Sequence, residues 1–417
     1  MAKNYICGLD IGGSKIAACV AEVKGGKVVD VFFEAQESRG VKKGSVVDAV
    51  DLAECVGKTL KAFKNKFDIK IKAVHTNISG QDVSVKHSRA IIPLAERGNK
   101  VITSLDIENV NRQAFILGSV IDEEVVHQIP YSYSVDNKTD IANPLGLCGH
   151  KLEVDLYLIC AKLSSIQTIN YVINQAGYDA REIFLSGLAA SEVIFDESMK
   201  KGGSVLCDIG SDFTELSYFK DGVLRDVKML FAGGNDLTQA LQEGLNISFE
   251  QAKDVKVSSG LMDGSQILDE NNQILVRKDT EYKPIKKKQI MDILNARSKS
   301  MCLQLKNEVE KVVKLKEVNN FVLTGGVILQ DGFLEMLEDN MGIPVEFARI
   351  RDAQMSPVIS KNPALSGRKY LTYATALGLI CKELYGYNPK TLTNIKPIHN
   401  PILKILNRFK GIYSEYF

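Results

Sequence analysis

Tyr5-Ile6-Cys7-Gly8-Leu9-Asp10-Ile11-Gly12-Gly13-Ser14-Lys15 is an apolar run that ends in a carboxylate and passes straight into a glycine turn. A second strand-like run, Ile16 to Val23, follows it, then a Gly25-Gly26 turn and a third run, Val28 to Phe33. The same order returns near residue 200. Ser204-Val205-Leu206-Cys207-Asp208 leads into Ile209-Gly210-Ser211-Asp212-Phe213-Thr214, then Leu216 to Phe219, an Asp221-Gly222 turn, and Val223 to Leu230. Each copy predicts strand, Asp-Ile-Gly loop, strand, tight turn, strand. Gly-Gly and Asp-Gly tolerate positive φ, so the hairpin turns have a physical basis.

One Asp-Ile-Gly turn would be only a turn, but two in the same strand context point to a phosphate clamp. Glycine lets backbone N–H groups approach an anion closely. Asp10, Gly12, Gly13, Ser14 and Lys15 form the first candidate loop, and Asp208, Gly210, Ser211, Asp212 and Thr214 the second. Ser14 and Thr214 offer hydroxyl donors and Lys15 a point charge. Asp10 and Asp208 suit a magnesium ion held through its waters. Neither loop has the Walker spacing, and each runs into a strand, not a helix. A third element, Phe321-Val322-Leu323-Thr324-Gly325-Gly326-Val327, ends a strand in a glycine pair against which a base or ribose can lie, followed by a helix expected from Asp331 to Asn340. Gly233-Gly234-Asn235 opens a further helical pattern whose N-terminus favours anions.

Composition narrows the classes. Among 417 residues, 52 Lys and Arg balance 51 Asp and Glu, a net charge of +1 that argues against coating nucleic acid. No apolar run is long enough for a membrane-spanning helix, and no signal-peptide core opens the chain. The eight cysteines are scattered without a C-x-x-C pair and read as buried thiols of a reducing cytoplasm.

Duplicated Asp-Gly loops with a late Gly-Gly loop resemble the actin, heat-shock chaperone and sugar-kinase superfamily. The stretch between them, including Gln128-Ile129-Pro130-Tyr131, Val135-Asp136, Asn143-Pro144-Leu145-Gly146 and Lys151-Leu152-Glu153-Val154, resembles the bacterial actin-like cell-division family FtsA. That resemblance implies an α/β actin-like fold of two lobes with duplicated ribonuclease-H-like cores. Subdomain IA would span 1–82 and 163–200, interrupted by an inserted subdomain IC at 83–162; IIA would span 201–234 and, with the return of the chain to IA, 301–385, interrupted by IIB at 235–300. It further implies ATP with Mg2+, filament formation, the C-terminal peptide of the tubulin-like FtsZ on IIB with Arg297 as its fork, and contacts of IC with other division proteins. Gly234, Asn235, Lys256, Gly325, Gly326 and Val327 would flank the nucleoside. Two small-residue helices, around Ala189-Ala190 and Ala374-Ala376-Gly378, would cross closely at the hinge. A sugar kinase of the ROK type is the competing reading, since Asp10-Ile11-Gly12-Gly13-Ser14-Lys15 suits its loop too; its cysteine-rich zinc loop is not found.

Two departures bear on activity. The second loop carries Ser211 and Asp212 where relatives have glycines, and Lys253-x-x-Lys256 replaces Glu-x-x-Lys. A carboxylate beside phosphates repels them, so ATP binding with weak or absent hydrolysis is expected, and no general base is named.

The C-terminus completes the pattern. Residues 386–400, with Pro389 and Pro397, read as a tether. In 401–417, Ile402, Ile405, Leu406, Phe409, Ile412, Tyr413 and Tyr416 fall on one helical side, and Lys404, Arg408 and Lys410 supply basic charge. With Leu403 they predict a membrane-surface helix, too short and too charged to span a bilayer. The resemblance to the FtsA family then implies the cytoplasmic side of the cell membrane, at the septum, as its location.

Overall fold

The computed structural model describes residues 4–95, 98–259, 272–278, 281–326 and 332–385. Two five-stranded sheets share one plan. The first has the order Asp179–Leu185, Ala73–Ile78, Asn4–Ile11, Lys15–Lys24, Lys27–Glu37; the second has Val345–Phe347, Asn320–Gly325, Ser204–Ile209, Thr214–Lys220, Val223–Leu230. In both, three strands run antiparallel through tight turns and the remaining two run parallel beside the first. The turns follow the chemistry of their residues. Gly25 and Gly26 have φ of 59° and 74°, and Asp221 and Gly222 have 56° and 82°, the paired positive values that match the strands' twist.

Helix Ala49–Phe67 covers the first sheet. Asp48 starts it by accepting the N–H groups of Val50 and Asp51, and Leu52, Val56, Leu60 and Phe63 bury one face. Helices Ser186–Ile194 and Ala374–Tyr385 cross where the lobes meet. A Cβ on Gly378 would lie 1.8 Å from the Ala189 carbonyl oxygen, and one on Gly8 2.0 Å from that of Ala376. The small residues at 189–190 and 374–378 are thus what allows backbone to touch backbone, as their spacing predicts.

Between the first and later strands of the first sheet, residues 83–162 build a separate four-stranded sheet in the order Lys138–Ile141, Glu123–Val135, Lys151–Lys162, Val83–Pro93. Helix Ser104–Gly118 packs on it, capped by Thr103 and Asp106 as the sequence predicts. Its core is Val110, Ala114, Tyr133, Leu152, Val154, Leu156 and Leu158. The buried Tyr133 hydroxyl is satisfied by the Asn111 amide at 2.9 Å. Arg225 of the second lobe fastens this unit, donating to the Tyr131 carbonyl at 2.6 Å with its guanidinium over the Tyr131 ring.

Helix Phe333–Met341 matches the helix expected after the Gly-Gly loop. One expectation about the cysteines needs correction: seven are buried, but Cys148 is exposed, because it sits at the rim of a two-stranded ribbon. Val327, the tether 386–400 and the amphipathic segment with Ile402, Leu403, Ile405, Leu406, Phe409, Ile412 and Tyr413 lie outside the described residues. Among the described residues no helix is long and apolar enough to cross a membrane.

Candidate functional site

Both Asp-Ile-Gly segments close the same turn. Gly12 N–H donates to the Lys15 carbonyl at 3.0 Å, and Gly210 N–H to the Phe213 carbonyl at 3.0 Å. The flanking registers match as well, Ile11 opposite Ile16 and Ile209 opposite Thr214. Gly13 is therefore the counterpart of Ser211, Ser14 of Asp212, and Lys15 of Phe213. The loops face one another: a Cβ on Gly13 would lie 2.7 Å from Asp212 Oδ2 and 2.9 Å from Ser211 Oγ.

Asp10 is oriented by Asn77, whose Nδ2 donates to Asp10 Oδ1 at 2.7 Å while its Oδ1 accepts the Ile11 N–H at 2.7 Å. The same amide group donates to Ser186 Oγ at 2.9 Å. Burial pushes the Asp10 carboxyl up to about 6; Lys15 pulls it down, and the charge of Asp208 adds to the rise. Asp208 is raised by burial and lowered by Lys15, while Lys15 is lowered by burial and supported by both carboxylates. Asp10, Lys15 and Asp208 thus share one electrostatic environment between the lobes.

Gly325, Gly326, Gly234, Asn235 and Lys256 gather around the second loop. Gly325 has φ of 100°, and a Cβ there would meet the Ile209 carbonyl at 2.3 Å and Asp208 Oδ1 at 2.6 Å, so only glycine lets the strand end come this close. Gly326 has open space on its side-chain face. The helix Gly234–Leu245 starts against the loop, with Gly234 N–H on the Gly210 carbonyl and Asn235 N–H on that of Ser211. Lys256 Nζ donates to the Gly234 carbonyl and to Thr238 Oγ1, and burial lowers it to about 8. Asp212 joins the lobes: Oδ2 accepts the Lys43 N–H at 3.0 Å and Oδ1 the Asn235 amide at 2.8 Å. Lys253, the residue in place of a glutamate, pairs across the lobes with Glu37 at 2.5 Å.

With this geometry in hand, the likeness to known proteins is specific. Residues 80–160 match the model of the SHS2 domain inserted in FtsA, and residues 205–378 match that of Cell division protein FtsA. The chain belongs to the FtsA family. It is 24% identical over 431 residues to the Cell division protein FtsA of Borreliella burgdorferi, covering 100% of each. In fold, this FtsA-family chain resembles the PilM-PilN type IV pilus biogenesis complex (TM-score 0.63, 16% identity, 91% of this chain and 98% of that one). It also resembles MreB5 of Spiroplasma citri, a structure bound to ADP (TM-score 0.50, 14% identity, 92% and 99%). The architecture is the actin-like one.

Membership in the FtsA family sets the sugar-kinase reading aside. Two predicted roles in this FtsA-family site need correction. Thr214 offers no hydroxyl to the cleft: it is fully buried and donates to the Ala232 carbonyl at 2.8 Å, because its register position is that of Ile16, one step beyond the loop. Arg297 is no open fork for a peptide carboxylate. Its Nη2 pairs with Asp236 Oδ1 at 2.5 Å, and Asp236 Oδ2 accepts the Gly233 N–H, so Arg297 braces the start of the Gly234 helix.

Glu215 was not singled out by the loop pattern, yet it stands opposite Asp208 in the hairpin. Buried, it accepts from Ser79 Oγ at 2.5 Å, Gly187 N–H at 2.8 Å and Ser217 Oγ at 3.2 Å. Burial raises its carboxyl to about 7, with Asp208 adding to the rise. The available signal was the hairpin arithmetic that sets residue 215 across from residue 208.

Proposed function

We propose that this FtsA-family chain binds ATP with Mg2+ between its two Asp-Ile-Gly loops, polymerises, and tethers the FtsZ ring to the cytoplasmic face of the membrane through its C-terminal amphipathic segment. The observation that carries the nucleotide reading is the shared environment of Asp10, Lys15 and Asp208 at the mouth of two facing glycine turns. Two buried carboxylates around one lysine, with the charge of Asp208 raising the proton affinity of Asp10, suit a divalent cation, and the open side-chain face of Gly326 suits a flat base.

In this reading Gly12, Gly13, Ser14, Lys15, Gly210 and Ser211 hold the phosphates, and Asp10 and Asp208 hold the magnesium waters. Gly234, Asn235, Lys256, Gly325 and Gly326 lie against the nucleoside. Mg2+ would neutralise phosphate charge that Asp212 otherwise repels. Because Asp212 and Lys253 already link the lobes, nucleotide entry must exchange those links for its own, which couples binding to lobe rotation. The tail of one copy binds lipid weakly, whereas the tails of a filament act together through effective concentration. Polymerisation then switches attachment. The inserted sheet of residues 83–162 is assigned to contacts with other copies or division proteins, and residues 235–300 to the FtsZ peptide.

Co-sedimentation with anionic liposomes tests the whole scheme. Intact protein with Mg-ATP should pellet, and protein lacking residues 401–417 should stay in the supernatant. Equal pelleting of the two would reject the membrane role, and equal pelleting of intact protein with and without Mg-ATP would reject the coupling to nucleotide.

A further inference from the structure

A cluster apart from the nucleotide carboxylates lies where the first sheet meets the last described helix. His75, on the central strand Ala73–Ile78, is 3% exposed. Its Nδ1 makes no hydrogen bond and stands 3.9 Å from Glu182 Oε2, while its Nε2 stands 3.7 Å from Glu383 Oε2. A buried ring nitrogen left without a hydrogen bond is costly, so its retention asks for a ligand. Ligand atoms from the three residues all fall within 4.8 Å of one another.

The backbone arranges this cluster. In the parallel pairing of Asp179–Leu185 with Ala73–Ile78, Ala180 faces Val74 and Ile183 faces Thr76, so Arg181 and Glu182 together oppose His75. Such a two-against-one bulge re-aims side chains, and it is rare between parallel strands. Glu383 arrives on the helix Ala374–Tyr385, which Gly8 admits directly onto the neighbouring strand. Glu383 divides its oxygens, Oε2 toward His75 and Oε1 toward Arg181 at 3.5 Å, so the arginine can keep its partner while Oε2 serves another.

We propose that His75, through one ring nitrogen, forms with Glu182 and Glu383 a site for one divalent transition-metal ion, best matched by Zn2+, which pins the end of the helix Ala374–Tyr385 to the first sheet. One imidazole and two carboxylates are donors that zinc takes and that magnesium and calcium, which prefer oxygen alone, do not. Burial lowers the proton affinity of His75, which favours the neutral imidazole that coordinates a metal. Both glutamates are more than a third exposed, so the ion enters from solvent and water fills the fourth position.

The test is calorimetric titration of ZnCl2 into untagged, chelator-stripped, full-length protein without nucleotide, alongside Glu182→Gln, Glu383→Gln and His75→Asn. The expected result is one ion per chain, bound at least about tenfold more weakly by each variant, a loss typical of disturbed metal shells. Because His75→Asn can unfold a buried strand, the two exposed glutamine variants decide the matter, with circular dichroism confirming their fold. Cobalt should give weak visible bands without thiolate charge transfer. Zinc affinity unchanged in both glutamine variants, no saturable binding, or a thiolate band assigning the ion to cysteines such as the exposed Cys148 would overturn the proposal.

Discussion

The two loops of this molecule have the same backbone and opposite side chains. Gly12 to Lys15 and Gly210 to Phe213 close identical turns at 3.0 Å, yet the first loop ends in Lys15 and the second in Phe213. Where the first has Ser14 the second has Asp212, and opposite the leading aspartate the first has Ala17 and the second Glu215. Duplication preserved the anion-sized turn, and substitution placed the cation on one lobe and the extra carboxylates on the other. The teaching is that a clamp needs matched geometry on both jaws but not matched charge. One lysine serves both aspartates, and Asp212 reaches over to the Lys43 N–H of the first lobe.

Breaking the backbone side of that comparison should have the largest effect. Gly13 faces the ends of side chains that can swing away, whereas Gly325, at φ of 100°, faces the Ile209 carbonyl and Asp208. Gly325→Ala should destabilise the protein by about 3 kcal/mol in urea denaturation, combining left-handed strain with a clash, while Gly13→Ala costs about 1 kcal/mol or less. Equal losses would mean that the loops are backed alike.

Glu215 marks the next difference. Its carboxyl is raised from its usual value to about 7, so the folded state holds the proton more tightly than the unfolded chain. The stability this supplies is complete below about pH 4.5 and is lost as pH rises through 7. Glu215→Gln should therefore gain on the wild type by about 3 kcal/mol between pH 4.5 and 7.5, measured as the change in unfolding midpoint at each pH. A constant difference across that range would show that Glu215 is ionised throughout.

Asp212→Gly should raise Mg-ATP affinity about tenfold, equivalent to 1.4 kcal/mol of removed repulsion, as read by fluorescence titration. A fall in affinity would show that the Asp212 link to Lys43 shapes the cleft instead. The smallest effect belongs to Glu37 and Lys253, both on the surface. Glu37→Gln should change stability by less than about 0.5 kcal/mol, and even that should vanish in high salt.

The framework was legible because strand periodicity and positive-φ turn residues are local signals. Asp221-Gly222 predicts its own turn, and Thr103 with Asp106 predicts its own helix cap. The small residues at 189–190 and 374–378 even foretold a tertiary contact, since only small side chains permit one so close. What was not legible depends on partners distant in the chain. Arg297 looks the same in sequence whether it awaits a peptide or holds Asp236, 61 residues away. Thr214 looks like a loop hydroxyl until its register places it one position into a buried strand. His75 and Asn77 carry no motif at all; their roles come from Glu383 and Asp10, brought beside them by the sheet.

The central claim is that Asp10 and Asp208 act on one bound magnesium nucleotide from opposite jaws. A double-mutant cycle of Asp10→Asn and Asp208→Asn, read as the Mg2+-dependent part of ATP affinity, tests it most directly. Each single variant should lose most of the magnesium dependence, and the double variant should lose little more. Additive losses, or full magnesium dependence in either single variant, would contradict the account.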